Sequence, residues 1–411
     1  MPVSCSSCSM RALSALAALC GALAWTPTAP SARVARARVS RLDAGARLPL
    51  PLFDVERVGL AGLFEDLDGA GTMLLRPPAD VPPRAVLHFL GGAFVGAAPH
   101  ITYRYLLEAL AREGFLVVST PYRLEFDYLE LTDKVLARFE RAARPLAQQY
   151  GALPVIGVGH SCGALLHVLI TCLFPDTPRA ANALISFNNK PAGEAIPMFE
   201  EAVVPLATEL AGDAQTARWL RETSASARSI LESAADGYVN STLAPRFAGA
   251  EILPLLRQSA ELADQVPPLF EAIADGVREF TPTPADTRET CRRMYRARRT
   301  LLIQFENDAL DETAELDALL KEAQSIMRMK RPLVDMAVDT KTMTGTHITP
   351  LTQDVFLTTP LDPLDPLSPT RQALRLNFLR TIDETASVLV DWLKSSTPPS
   401  SAPSSTGYTP P

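Results

Sequence analysis

The chain has 411 residues, 47% hydrophobic and 21% charged, an ordinary globular balance with ample material for a core. A net charge of −7 leaves no basic footprint for nucleic acid, so that class of partner is excluded. The length allows two domains, although α/β folds often run past about two hundred residues as one.

The charge is uneven. Residues 1–42 contain no Asp or Glu and five arginines (Arg11, Arg33, Arg36, Arg38 and Arg41), which leaves −12 on the remainder. "RALSALAALCGALAW" joins a positive residue, a short apolar run and the small-x-small ending Ala22-Leu23-Ala24, the features of a cleavable signal peptide. The run is too short to span a bilayer. "TPTAPSARVARARVSR", which follows, has the acid-free, Arg-, Ala- and Ser-rich composition of a transit peptide. The tandem resembles the bipartite presequences of algae with secondary plastids, where an aromatic residue, here Trp25, follows the signal cleavage site. The expected location is therefore the plastid (chloroplast), with secretion or a disordered leader as alternatives. After the leader there is no long apolar run, so no transmembrane segment is expected in the mature chain, and peripheral membrane contact stays open.

Removal of the leader takes Cys5, Cys8 and Cys20 with it. Cys162, Cys172 and Cys291 remain, too scattered for a disulfide framework or a metal-ligand spacing.

"RAVLHFL" (84–90) reads as a buried strand that ends in the glycine turn "GGAFVG". "ITYRYLLEALAREG" (101–114) has apolar residues at helical spacing and a stop at Gly114, and "FLVVSTP" (115–121) is again a strand. A helix over about 129–149 is followed by the strand "PVIGVG", the helix of "CGALLHVLITCLF" and the strand "ALISF" (183–187). This alternation implies βαβ crossovers and an α/β fold with a mainly parallel sheet. Residues 195–297 are mostly helix-forming, broken at Pro197, Pro245, Pro267, Pro268, Pro282 and Pro284: a helical cap, or a subdomain with purely structural packing. Strand character returns at "RTLLIQFEND" (299–308) and near "LVDMAVD" (333–339), and an amphipathic helix covers about 370–394. From Ser395 the chain is Ser/Pro-rich and cannot bury enough apolar surface to order itself. The expected organisation is a presequence over 1–42, one domain over 43–394 with its cap at about 195–297, and a tail over 395–411.

The chemistry lies in "VIGVGHSCGALL" (155–166). One serine, Ser161, is bracketed by Gly159 and Gly163 where an apolar strand gives way to an apolar helix. Such a sharp turn exposes a nucleophile at its tip and aims the first free helix N–H groups at a developing oxyanion. A serine needs a base, and the base an orienting acid. In α/β-hydrolases the chain order is Ser, acid, His. "LLIQFENDALDET" places Asp308 just past a strand end, with Glu306 and Asp311 as competitors, and "SFNNK" offers no acid after the preceding strand. "TMTGTHITP" places His347 in a loop behind the final strand. The other histidines fit less well. His160 lies inside the elbow and points away from the hydroxyl; His167 packs among Leu165, Leu166 and Leu169; His88 is placed to hold the glycine turn by a hydrogen bond; His100 follows Pro99 in a loop. The oxyanion donors are expected to be the N–H of Cys162 and that of Gly92 or Ala93; without catalytic duty, the latter turn would simply be tight. Cys162 reads as a small residue beside the nucleophile rather than a redox thiol. No nucleotide loop or metal cluster appears, so no cofactor and no metal are expected.

"HFLGGAFVGAAPHITYRYLLEALAREGFLVVSTPYRLEFDY", "GVGHSCGALLH" and "LISFNNKPAGEAIP" together resemble a plant, algal and cyanobacterial α/β-hydrolase-like family of unknown function (domain of unknown function 1350), over roughly residues 70–390. The resemblance implies the α/β-hydrolase fold and fits a plastid address, but supplies no reaction. Its hydrolase-like positions fall on Ser161, Asp308 and His347. The expected function is a plastid serine hydrolase that cleaves an ester or thioester of an apolar, lipid- or pigment-like substrate through an acyl-enzyme. The alternative is a non-catalytic hydrolase fold that binds a hydrophobic ligand or a protein partner.

The leader yields a direct test. N-terminal sequencing of native protein is expected to begin near residue 42, and a native chain that starts at Met1 or Pro2 removes the targeting reading.

Overall fold

The computed structural model describes residues 64–177, 179–196, 198–239, 264–330, 336–351 and 368–397. The leader, and the tail beyond Thr397, lie outside the described residues. Among the described residues eight strands form one sheet in the order β1-β2-β4-β3-β5-β6-β7-β8. They are β1 (Phe64–Asp66), β2 (Met73–Leu75), β3 (Ala85–Leu90), β4 (Phe115–Ser119), β5 (Val155–His160), β6 (Ala181–Ile185), β7 (Arg299–Asn307) and β8 (Ala337–Thr346). β3 to β8 pair in parallel, and β1 and β2 close the β4 edge antiparallel.

Among the described residues the longer helices are α1 (Arg104–Arg112), α2 (Tyr128–Tyr150), α3 (Cys162–Leu173), α4 (Val204–Ala211), α5 (Ala214–Val239), α6 (Val266–Ala274), α7 (Pro284–Met294), α8 (Thr313–Lys330) and α9 (Ser368–Ser396). Side chains alternate across the sheet, so each strand feeds two cores. On one face Leu87, Phe89, Ile156, Val158, Leu301 and Ile303 pack with Leu106 and Leu110 of α1 and with Leu389 and Leu393 of α9. On the other, Leu74, Val86, Leu116 and Val118 meet Phe139, Ala142 and Leu146 of α2. Removing each such side chain from water stabilises the fold by roughly 1.5–3 kcal/mol. α3 is buried over Cys162–Cys172, as its almost wholly apolar sequence requires.

Three boundaries differ from the sequence reading. β1 and β2 leave no signal in the sequence because each is only three residues long and offers almost no period. The last strand runs from Ala337 to Thr346 rather than near 333–339. As an edge strand paired only with β7 it is half exposed and rich in Thr, so no apolar run marks it. The final helix continues through Ser395 and Ser396, whose hydroxyls both donate to the Trp392 carbonyl.

Backbones close in at the carboxyl edge of the sheet. A Cβ on Gly159 would strike the Gly163 carbonyl and the Ala164 nitrogen, and one on Gly163 would overlap the Leu90 and Gly91 carbonyl oxygens. Gly193 has open space around it. Gly163→Ala is therefore expected to destabilise the chain by ~3 kcal/mol or more, and Gly163→Val to leave it insoluble, while Gly193→Ala stays near wild type in thermal unfolding. A wild-type Tm for Gly163→Ala would contradict the packing described.

Candidate active site

Four strand ends deliver the site. β3 runs into the turn at Gly91–Gly92, β5 into Ser161, β7 into Asp308 and β8 into His347, all at the carboxyl edge, where open parallel sheets gather their ligands. Ser161 sits at φ 55°, ψ −122°, a region costly for a residue with a Cβ. The conformation is held from both sides: the Ser161 N–H donates to the Ile185 carbonyl (2.9 Å), and the Ser161 carbonyl accepts from Ala164 N–H (2.9 Å) as α3 begins.

Ser161 Oγ lies 2.9 Å from His347 Nε2, and His347 Nδ1 lies 2.8 Å from Asp308 Oδ2. A carboxylate only accepts, so Nδ1 carries the proton and Nε2 is left as the acceptor for the serine hydroxyl. The Asp308 side chain is wholly buried, and that of His347 is one-fifth exposed. Burial would raise the Asp308 carboxyl. The hydrogen bond from His347 Nδ1–H, with the Leu310 N–H on Oδ1 (3.0 Å), outweighs it and holds the group below the ordinary carboxylate range.

The competitors of Asp308 lie elsewhere. Asp311 accepts from the Thr313 hydroxyl (2.5 Å) at the start of α8, and burial, with the Asp308 charge beside it, lifts its carboxyl to about 6. Glu306 meets Thr344 at the surface. "SFNNK", which supplies no acid, braces the acid loop instead: Glu312 N–H donates to the Phe187 carbonyl (2.8 Å), and Lys190 Nζ donates to the Ala309 carbonyl (3.2 Å).

The glycine turn corrects one expectation. The Gly92 N–H is taken by the Tyr103 hydroxyl (2.7 Å) and is not free for an oxyanion. The N–H groups of Ala93 and Cys162 have no acceptor among the described residues. Gly92 itself lies against Ser161, because a Cβ there would come 3.4 Å from the serine Cβ. Burial pushes the Cys162 thiol up to about 11, so it is protonated beside the serine.

His88 does not hold the turn. Its Nδ1 bonds to Arg179 Nη2 (2.8 Å), and its ring stacks on Phe139, because strand alternation points it to the sheet face opposite Phe89. His167 is buried edge-on to His88, and His100 lies beside Phe64. His160 does point away from the serine hydroxyl, but it spans two loops: Nδ1 lies 2.8 Å from the Tyr103 hydroxyl and Nε2 lies 2.9 Å from the His347 carbonyl. Tyr103 and Tyr122 carry no signal in the sequence, where buried aromatics on helices and strand ends look like ordinary core.

The helical segment reaches the same turn. Gln265, fully buried, donates to the Phe94 carbonyl (3.0 Å) and accepts from the Leu124 N–H (3.2 Å). A cleft of about 650 Å³ opens nearby, walled by Ala97, His100, Tyr122, Lys134, Arg138 and Arg228 among others, and none of Ser161, His347 and Asp308 lines it. Among the described residues no group of three or more His, Cys, Asp or Glu could hold a metal ion, and no helix is long and apolar enough to cross a membrane.

A mainly parallel eight-stranded sheet flanked by helices, with a strained serine turn after β5 and the acid and histidine after β7 and β8, defines an α/β-hydrolase fold. The chain belongs to the family described as protein of unknown function (DUF1350), whose model matches residues 70–247 and 248–395. Among solved structures it is similar to a carboxylesterase of the thaumarchaeon Nitrososphaera gargenis (12% identity, 81% of this chain and 98% of that one, TM-score 0.37). It is also similar to a monoglyceride lipase of Saccharomyces cerevisiae (11%, 82% and 95%, TM-score 0.40) and to a monoacylglycerol lipase of Paleococcus ferrophilus (14%, 77% and 96%, TM-score 0.39). No curated protein matches the sequence.

The two carboxyls make separable predictions. Asp311 binds its proton more tightly folded, at about 6, than at the ordinary 3.8, so the stability it contributes is lost as pH rises through 6. Asp311→Asn keeps an oxygen for Thr313 and removes the charge. It is expected to raise Tm at pH 8 and to approach wild type near pH 3, below the ordinary value, where the carboxyl is largely protonated in both states. A Tm at pH 8 below that of wild type would refute the assignment.

Proposed function

We propose that this protein is a serine hydrolase that cleaves an ester or thioester through an acyl-enzyme. The observation that carries the reading is the unbroken hydrogen-bond chain Ser161 Oγ–His347–Asp308, set at the tip of a strained turn. In the proposed cycle His347 Nε2 takes the Ser161 proton as Oγ attacks the acyl carbon. The carbonyl oxygen becomes an oxyanion facing the N–H groups of Cys162 and Ala93. As the tetrahedral intermediate collapses, His347 returns the proton to the departing alcohol or thiol, leaving the acyl group on Ser161. Water then attacks with His347 again as base, and the acid is released. Asp308 holds the Nδ1–H tautomer and stabilises the imidazolium.

The substrate we propose is apolar and lipid- or pigment-like; the exposed Ile348, next to the base, offers it an apolar contact. The acid-free, Arg-rich leader supports work in the plastid. The helical segment joined to Phe94 through Gln265 supports a cap over the acyl site.

A fluorophosphonate probe and a panel of p-nitrophenyl esters and acyl thioesters test the reading. Wild-type protein is expected to label at Ser161 and to turn over at least one ester. Ser161→Ala should lose labelling and about 10⁴-fold or more of the activity, with little change in thermal unfolding. Asp308→Asn should keep the fold and lose about three to four orders of magnitude in kcat, because the imidazole loses its tautomer control. Wild-type protein inert to both probe and panel would instead support a non-catalytic fold that binds a hydrophobic ligand or a partner.

A further inference from the structure

Outside the serine, histidine and acid, two tyrosines and a second histidine surround the turn after β3. The Tyr122 hydroxyl donates to the Gly91 carbonyl at 2.6 Å, and the Gly92 N–H donates to the Tyr103 hydroxyl at 2.7 Å. These are the two ends of one peptide group, so its plane is held at both poles and cannot rotate.

The hydrogen-bond directions beyond Tyr103 follow from donor and acceptor chemistry. A backbone carbonyl only accepts, so His160 Nε2, 2.9 Å from the His347 carbonyl, carries a proton. The His160 ring is fully buried, and that burial, reinforced by nearby His347, holds it neutral with its pKa down at about 3. A neutral ring protonated at Nε2 presents Nδ1 as a bare acceptor, so the Tyr103 O–H donates there at 2.8 Å. Its oxygen lone pair is then free to accept the Gly92 N–H. A single arrangement of protons satisfies every member of the chain, which runs from the Gly91–Gly92 peptide through Tyr103 and His160 to the backbone of His347.

Resting on the hydrolase reading above, we propose that Tyr103 and His160 are positioning residues. They register the turn that carries the Ala93 N–H against the loop that carries His347, so that the oxyanion donor and the base are held as one body around Ser161. The two segments follow β3 and β8, which are separated in the sheet by β5, β6 and β7. Sheet pairing alone therefore does not set their separation. A reacting group displaced by about 1 Å loses on the order of 10²-fold in rate, so a link of this kind bears on turnover. Neither side chain is placed to touch the reacting atoms, because each has its polar atoms spent on the other or on backbone.

The test uses Tyr103→Phe, His160→Phe and the double variant. Tyr103→Phe deletes one oxygen and keeps the ring against Phe89 and His160. Each single variant is expected to lose about 10- to 100-fold in kcat on p-nitrophenyl butyrate and in the rate of Ser161 modification by a fluorophosphonate, with KM changed by less than about threefold. Because both substitutions cut one chain, the double variant should be no worse than the poorer single one. Nitrogen-15 NMR of the wild-type protein should show His160 as the Nε2–H tautomer and neutral at pH 5. Wild-type kcat and labelling in Tyr103→Phe, losses that multiply in the double variant, or an Nδ1–H tautomer for His160 would each overturn the proposal. Should His160→Phe not fold, Tyr103→Phe and the tautomer still decide it. A wild-type protein inert to both ester and probe fails the hydrolase reading instead, and the His160 tautomer alone then judges the linkage: Nε2–H upholds it, Nδ1–H ends it.

Discussion

The site depends on the contact of bare backbones where the strand-to-helix turn after β5 meets the end of β3. Gly163 leaves no room for a methyl beside the Leu90 and Gly91 carbonyls, and Gly159 leaves none beside Gly163 and Ala164. Three stretches of chain therefore come together at a spacing only hydrogen atoms allow. Ser161 takes an unfavourable backbone conformation at the tip because the strand bond to Ile185 on one side and the α3 helix on the other leave it no alternative. The same contact brings the glycine turn alongside the serine, so that one steric constraint assembles both the hydroxyl and the backbone donors near it.

Electrostatics then separates groups that are close in sequence and chemically alike. Asp308 and Asp311 lie three residues apart and are both at least partly buried, yet one is held below the usual carboxylate range and the other is lifted to about 6. Burial opposes charge on both. Asp308 offsets it with an imidazole N–H and a backbone N–H, whereas Asp311 has the Thr313 hydroxyl and stands in the field of its neighbour. Beside them Cys162 stays a thiol and His160 stays neutral, so they add no charge next to the Ser161–His347 pair. The histidine bonded to both the serine and the acid is His347.

The helical segment after β6 joins this arrangement rather than standing apart from it. Gln265 satisfies the Phe94 carbonyl and the Leu124 N–H at once, so the strained turn at Phe94, with φ 62°, is braced by a side chain from far along the chain. In a family with no established reaction, a hydrogen-bonded serine, histidine and aspartate with this degree of support is physical ground for a catalytic reading. A strained serine and two backbone N–H groups without an acceptor among the described residues stand beside that chain.

Much of this was legible along the chain. Apolar runs alternating with helical periods gave the parallel sheet, because strand and helix leave different spacings in a local window. The pattern of glycines around Ser161 gave the turn, because backbone crowding excludes every other residue. Asp308 and His347 could be named from their places after strand ends. What the chain could not decide was contact. That Asp308 and not Asp311 meets His347, that the Gly92 N–H is already taken, and that His88 faces Arg179 rather than the turn are all matters of which side chains come within about 3 Å. Tyr103, Tyr122, His160 and Gln265 carry no local signature, since each looks like core until its partner arrives from 11, 31, 187 or 171 residues away. Local sequence determined the elements and the tip on which the serine stands; the joining of those elements through long-range hydrogen bonds was decided only in three dimensions, because a donor's acceptor is chosen by distance and direction and not by separation along the chain.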